Sequence, residues 1–271
     1  MTRFNKDFLE LGRALGWKIH DVPLEKKGNC QKHGEYISYC YHDDVYDGCA
    51  SCREERLELS RKREHEIELS RKEHALLNKI LESGIPERFK QKTFAEYKID
   101  DNNQKQHKVF NFCLDYANNF ADIKKTGKSF MMLGSVGVGK THLSIAIALE
   151  IMSNGYSAKF ASASKMLREI KETYRKGSER SEKDVMQDYT DCHLLIIDEV
   201  GVQRGNDYET NTMFDVINER YENLRPTIIL SNLTLDELKL FLGERVFDRL
   251  RENGGKAFLL DWTSHRGLKH E

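Results

Sequence analysis

The segment Gly134-Ser135-Val136-Gly137-Val138-Gly139-Lys140-Thr141 constrains this chain more than any other, because its G-x-x-x-x-G-K-[ST] spacing works only where a buried strand hands over to a helix. The flanks comply. Ser129-Phe130-Met131-Met132-Leu133 is a short apolar run suited to a buried strand, and His142 to Met152 has the apolar character of a buried helix. Gly134, Gly137 and Gly139 let the backbone curl until its N–H groups converge on phosphate oxygens, and the helix N-terminus adds partial positive charge. Ser135, Val136 and Val138 complete that loop. Lys140 then reaches the β- and γ-phosphates of ATP, and Thr141 places its hydroxyl on Mg²⁺. The expected fold class is α/β, a P-loop NTPase whose parallel-sheet core is flanked by helices.

Composition bounds the remainder. A chain of 271 residues, 39% hydrophobic, has room for one sizeable core and a smaller module. The net charge of −1 supplies no global basic field, so contact with nucleic acid must come from a local patch. There is no apolar run long enough to span a bilayer and no signal-peptide pattern, which points to a cytoplasmic protein with no membrane partner. Six cysteines beside such a loop indicate metal or free thiols rather than disulfides.

Phe4, Phe8, Leu11 and Leu15 recur at helical spacing and predict a short amphipathic helix ended by Gly16, free to pack on its own protein or on a partner. Cys30-Gln31-Lys32-His33 and Cys49-Ala50-Ser51-Cys52 follow. Two knuckles with two-residue spacers offer Cys30, His33, Cys49 and Cys52 to one tetrahedral Zn²⁺. Cys40, in the spacer, is an alternative ligand without a partner at knuckle spacing. A module this small needs the metal for its folding energy, and four protein ligands leave no position open for catalysis. Arg53 to Leu81 is dense in Arg, Lys and Glu and lacks Gly and Pro, which predicts a long exposed helix; its apolar residues keep no heptad. The domain boundaries read from these shifts are 1–27 for the N-terminal helix, 28–56 for the zinc module, 57–83 for the helical linker and 84–271 for the ATPase.

Beyond the phosphate loop, residues 157–162 read as a strand, Ser164 to Tyr174 as a serine-capped helix and Arg175 to Asp184 as a charged loop. Leu194-Leu195-Ile196-Ile197-Asp198-Glu199 is an apolar strand ending in two acids, at the end of a parallel sheet where ligands bind. Asp198 is placed to hold Mg²⁺ through its water shell and Glu199 to polarise an attacking water, so the pair argues for hydrolysis. Pro226 to Asn232 is another buried strand, with Asn232 at its polar end. Arg245, Arg249 and Arg251 offer guanidinium groups suited to a transferring phosphoryl group.

Together these residues resemble a family. Gly84-Ile85-Pro86 with Arg88-Phe89, the phosphate loop, Ile197 to Gln203, Ser231-Asn232, Leu242 to Leu250 and Trp262 to Arg266 are similar, in order, to the DnaC family of bacterial replicative helicase loaders. The resemblance implies an AAA+ ATPase that delivers a hexameric helicase onto single-stranded DNA. It implies that Asn232 is sensor 1, Arg249 the finger given to a neighbouring subunit's ATP, and Arg266 sensor 2. Tyr174 and Tyr208 fall near family positions that touch single-stranded DNA, where base stacking on an aromatic ring gives a physical rationale. Residues 1–83 depart from the enterobacterial loaders; their zinc knuckles resemble phage and prophage relatives, and the module is expected to dock the helicase. Arg266 lies so near Glu271 that no helical lid is expected, which implies self-association in the presence of ATP. An IstB-like transposition helper is the alternative within the same branch, and an ATP-holding adaptor without turnover is the alternative outside it.

Overall fold

The computed structural model describes residues 14, 16–43, 45–202 and 207–264. Phe4, Phe8, Leu11 and Leu15, the stripe of the expected helix, and the sensor position Arg266 lie outside the described residues. The chain divides into two compact units, Met1–Glu73 and His74–Glu271.

In the first unit, β1 (Ile19–Cys30) and β2 (Gly34–His42) form an antiparallel hairpin, with β3 (Val45–Tyr46) on the far side of β2. The hairpin closes at the Cys30–Gly34 pair, so the first knuckle is its turn, and Gly34 takes the φ of +77° that this turn needs. The second knuckle lies at the start of α1 (Ala50–Glu82), a helix of 33 residues with none buried. Strand β1 starts at Ile19, inside the segment that the sequence set apart as the N-terminal helix, and α1 starts within the expected zinc module. Asp47 ties hairpin to helix: Oδ1 accepts from the Tyr39 N–H at 2.7 Å and the Ser38 hydroxyl at 3.0 Å, and Oδ2 from Arg53 at 2.9 Å. The exposed length of α1 relies on helix propensity and on i,i+4 pairs such as Glu58–Lys62 at 3.0 Å, each of which contributes only a few tenths of a kcal/mol, roughly. Gly84, with φ of +77°, follows its end.

The second unit is a sheet of five parallel strands in the order β5-β6-β7-β4-β8: β4 (Phe130–Gly134), β5 (Ala158–Ser162), β6 (Leu194–Asp198), β7 (Thr227–Ser231) and β8 (Lys256–Leu260). Alternate side chains of β4, β5, β6 and β7 enter opposite cores. Phe130, Met132, Ile196 and Ile228 face one core with α2 (Gln104–Asn118) and α4 (Lys140–Ser153), which flank the short α3 (Phe120–Thr126). Met131, Leu133, Ile197 and Ile229 face the other, with α5 (Ala163–Glu172), α6 (Glu182–Thr190), α7 (Asp207–Glu222), α8 (Leu235–Leu242) and α9 (Glu244–Arg251). The chain leaves β4 for β5 across β7 and β6, while β8 adds on the other side of β4. That reversal opens a crevice at the carboxyl end of β4, where the phosphate loop sits.

Two local expectations are corrected. Helix α5 has the expected serine cap, Ser162, which accepts from the Lys165 N–H, but it runs over Ala163–Glu172 rather than Ser164 to Tyr174. The charged stretch 175–184 is not all loop, because Ser181 and Asp184 form a capping box that starts α6 at Glu182. Inside the unit, the fully buried Arg220 donates to the carbonyls of Tyr189, Thr190, Cys192 and Pro226 at 2.6–3.1 Å, so backbone dipoles at the end of α6 solvate its charge.

Candidate nucleotide and metal sites

The phosphate loop begins where β4 ends and stops where α4 begins. Gly134, Gly137 and Gly139 have φ of +144°, +88° and +99°, a region closed to most side chains, and a Cβ on Gly134 would lie 2.2 Å from the Leu260 carbonyl oxygen. Lys140, the first residue of α4, is 6% exposed. Its ammonium donates to the carbonyls of Gly134 (2.6 Å) and Ser135 (2.9 Å) and to Oδ1 of Asn232 (2.8 Å), at the end of β7. Thr141 donates its hydroxyl to Oδ2 of Asp198 at 2.8 Å, at the end of β6. Three strand ends thus converge on one crevice, and the two side chains expected to share Mg²⁺ stand next to each other.

Glu199 follows with a φ of +58°, uncommon outside glycine. The neighbours hold it there. Its N–H donates to Asp198 Oδ1 at 2.7 Å, the Val200 N–H to the Leu230 carbonyl at 3.0 Å, and the Ser231 hydroxyl to the Val200 carbonyl at 2.6 Å. The exposed Glu199 side chain is thereby presented at the mouth of the crevice.

Arg249 lies on α9 with its guanidinium 5.3 Å from the ring centres of both Phe214 and Tyr221. Its Nη1 is buried with no hydrogen-bond acceptor among the described residues. Tyr174 and Tyr208, distant in sequence, meet edge to face with ring centres 6.1 Å apart, and the Tyr174 ring is 57% exposed.

In the first unit the ligand atoms of Cys30, His33, Cys49 and Cys52 lie within 4.8 Å of one another. His33 turns Nδ1 toward the sulfurs, 3.3 Å from Cys52 and 3.7 Å from both Cys30 and Cys49. Cys40 is not in the group; it is fully buried in β2 with its thiol on the His42 carbonyl. The donor set fits a tetrahedral Zn²⁺. Backbone N–H groups of Lys32 and His33 hold the Cys30 thiol down at about 6, ready to ligate, whereas its contact with Cys30 pushes the Cys52 thiol up to about 11. A cation among these sulfurs would favour the thiolate form at each of them.

Sequence reading missed Glu55. Its Oε1 lies 3.2 Å from His33 Nε2, and its Oε2 2.5 Å from Lys32 Nζ. The signal was available: Glu55 follows Cys52 by three residues on a helix, so both project from one face. A carboxylate on Nε2–H fixes the histidine tautomer that leaves Nδ1 free to bind metal.

Comparison with known proteins agrees with this geometry. The profile described as "IstB-like ATP binding protein" matches residues 48–250. The chain is 33% identical over 188 residues to the replicative helicase loader DnaC of Buchnera aphidicola subsp. Baizongia pistaciae, covering 69% of this chain and 74% of that protein. The DnaC of Escherichia coli K12 is 31% identical over 186 residues, covering 68% and 73%. A crystal structure of the DnaC helicase loader superimposes with a TM-score of 0.57 at 23% identity, covering 64% of this chain and 99% of that one, which establishes the shared AAA+ fold. Through the matched profile and these relatives, the chain belongs to the IstB/DnaC family of ATP-binding proteins.

Proposed function

We propose that this protein is an ATP-hydrolysing loader that delivers a hexameric replicative helicase onto single-stranded DNA. The observation that carries this reading is the 33% and 31% identity, over 188 and 186 residues, with two replicative helicase loaders. The crevice gives it chemistry. Backbone N–H groups of residues 134–141 and the Lys140 ammonium bind the phosphates, with Lys140 exchanging its carbonyl acceptors for phosphate oxygens. Thr141 and Asp198 hold Mg²⁺, which when bound neutralises charge on the β- and γ-oxygens. Glu199 orients and polarises water, and Asn232, already bonded to Lys140, senses the γ-phosphate.

Arg249, on α9, donates to the ATP of a neighbouring copy, and Arg266 completes the site, so ATP favours self-association. Tyr174 and Tyr208 form the stacking surface for single-stranded DNA. The zinc module, with residues 1–83, docks the helicase, and ATP switches the complex between bound and released states. The protein acts in the cytoplasm.

The test is capture of a hexameric replicative helicase by the full chain with ATP and with ADP, beside a chain lacking residues 1–83. Nucleotide-sensitive capture that is lost on truncation is the expected result. No capture under either nucleotide rejects the loader reading and redirects the search to transposases, the partners of an IstB-like helper.

A further inference from the structure

The Val138 carbonyl, inside the phosphate loop, is engaged from outside it. The indole Nε1–H of Trp262 donates to it at 2.8 Å, and the Tyr97 hydroxyl stands 3.5 Å away. Val138 is 0% exposed and Tyr97 8%. The Tyr97 ring fills the space a Cβ on Gly139 would occupy, at 2.7 Å, and the 1%-exposed Gln106 donates to its hydroxyl at 3.4 Å and to the Lys98 carbonyl at 3.1 Å. Trp262 itself lies just beyond β8, the strand whose Leu260 carbonyl closes on Gly134. The stretch from Leu260 to Trp262 therefore touches the loop near both ends.

A trans peptide is planar, so the C=O of Val138 and the N–H of Gly139 point in opposite directions. With the carbonyl turned toward Trp262, that N–H points the other way. The plane turns on ψ of Val138 and φ of Gly139; with no Cβ, Gly139 accepts a changed φ at little steric cost, and rotation would aim a carbonyl oxygen at bound phosphate. An indole N–H is a donor only and accepts just one orientation of the plane, whereas the tyrosine hydroxyl is compatible with either.

We propose that Trp262 is a positioning residue that locks the Val138–Gly139 peptide with its N–H toward the phosphates of ATP. The proposal rests on the nucleotide-binding reading of the loop. Bound phosphate completes a chain from indole N–H through the peptide to the anion, and each bond in such a chain polarises the next.

Trp262→Phe keeps an aromatic ring and removes the donor. We expect about 10-fold weaker binding of a fluorescent N-methylanthraniloyl ATP by anisotropy, the size of one lost bond to a charged acceptor. The second measurement leaves Trp262 in place. The chain contains two tryptophans, so ¹⁵N-indole labelling gives two Nε1–H resonances, assigned with Trp17→Phe. Saturating ATP is expected to move the Trp262 resonance downfield and leave that of Trp17. Wild-type protein that binds the analogue while the Trp262 resonance stays put, or a Trp262→Phe variant that binds within twofold of wild type, overturns the lock. Wild-type protein that binds no analogue overturns the nucleotide reading, and the lock with it.

Discussion

The strands of the ATPase unit and the hairpin of the metal module bury their side chains to different extents. Phe130, Met131, Met132, Leu194 to Ile197 and Ile228 to Leu230 are all 0% exposed, packed on both faces by helices. In the hairpin and β3, Ser38 and Cys40 are buried, but Leu24, Ile37, Val45 and Tyr46 are 37–60% exposed. The ATPase unit holds its shape through close packing at about 25 cal/mol per Å² of apolar surface removed from water. The metal module has little such surface, and its turn, strand β3 and helix start meet at the four Cys and His side chains and the Asp47 bonds. Metal should therefore be a folding term for one unit and irrelevant to the other.

The largest effect expected from that difference is loss of the module with its ion. Protein purified without chelator should carry ~1 Zn²⁺ per chain by elemental analysis. Cys49→Ser should expose residues 19–46 to rapid amide exchange while the strands of the sheet keep their protection. Protection that persists through residues 19–46 in metal-free protein would show that the hairpin folds by itself. The converse variant acts in the other unit. Lys140→Ala removes the ammonium from the crevice and should weaken ATP binding by on the order of 100-fold or more, as loss of two charge-assisted bonds predicts, with zinc content unchanged.

A smaller effect separates ligand from support within the metal site. Glu55→Ala leaves all four ligands and removes the carboxylate on His33 Nε2, and zinc affinity in competition with a chromophoric chelator should fall about 10- to 100-fold. Unchanged affinity would mean that the His33 tautomer is set without Glu55.

Legibility in the sequence followed the same division. Periodicity and the loop spacing located β4, β5, β6 and β7 to within about one residue at their ends, because buried parallel strands are continuous apolar runs and the phosphate loop must lie between strand and helix. The motifs assigned Thr141 and Asp198 to one Mg²⁺, so their adjacency was legible, whereas that of Lys140 and Asn232 follows from the pairing of β4 with β7. Less legible were features whose partners are distant and whose residue types are common. Trp262 on Val138 spans 124 residues, and nothing local marks a tryptophan as a donor to a loop. The capping box at Ser181 was missed because its S-x-x-D sits in a run of charges that masks the helix start. Strand β1 was missed for a physical reason. Half-exposed and carrying Glu25, Lys26 and Lys27, it lacks the apolar alternation by which strands are recognised.

The smallest predicted effect tests whether the units melt separately. Ser181 accepts from the Asp184 N–H, and Asp184 accepts in return from the Ser181 N–H and hydroxyl. Ser181→Ala removes the cap and leaves α6 otherwise unchanged, at a cost of about 1 kcal/mol. For a domain of this size that corresponds to a Tm lower by about 2–4 °C. The shift should appear in the transition of the ATPase unit, followed by near-ultraviolet circular dichroism of its buried tyrosines. The temperature at which zinc is released to a chelating dye should not move. A common displacement of both would mean that α1, which runs from the metal knuckle to the edge of the core, transmits stability between the two units, and the contrast between a packed unit and a metal-held one would then describe a single cooperative fold.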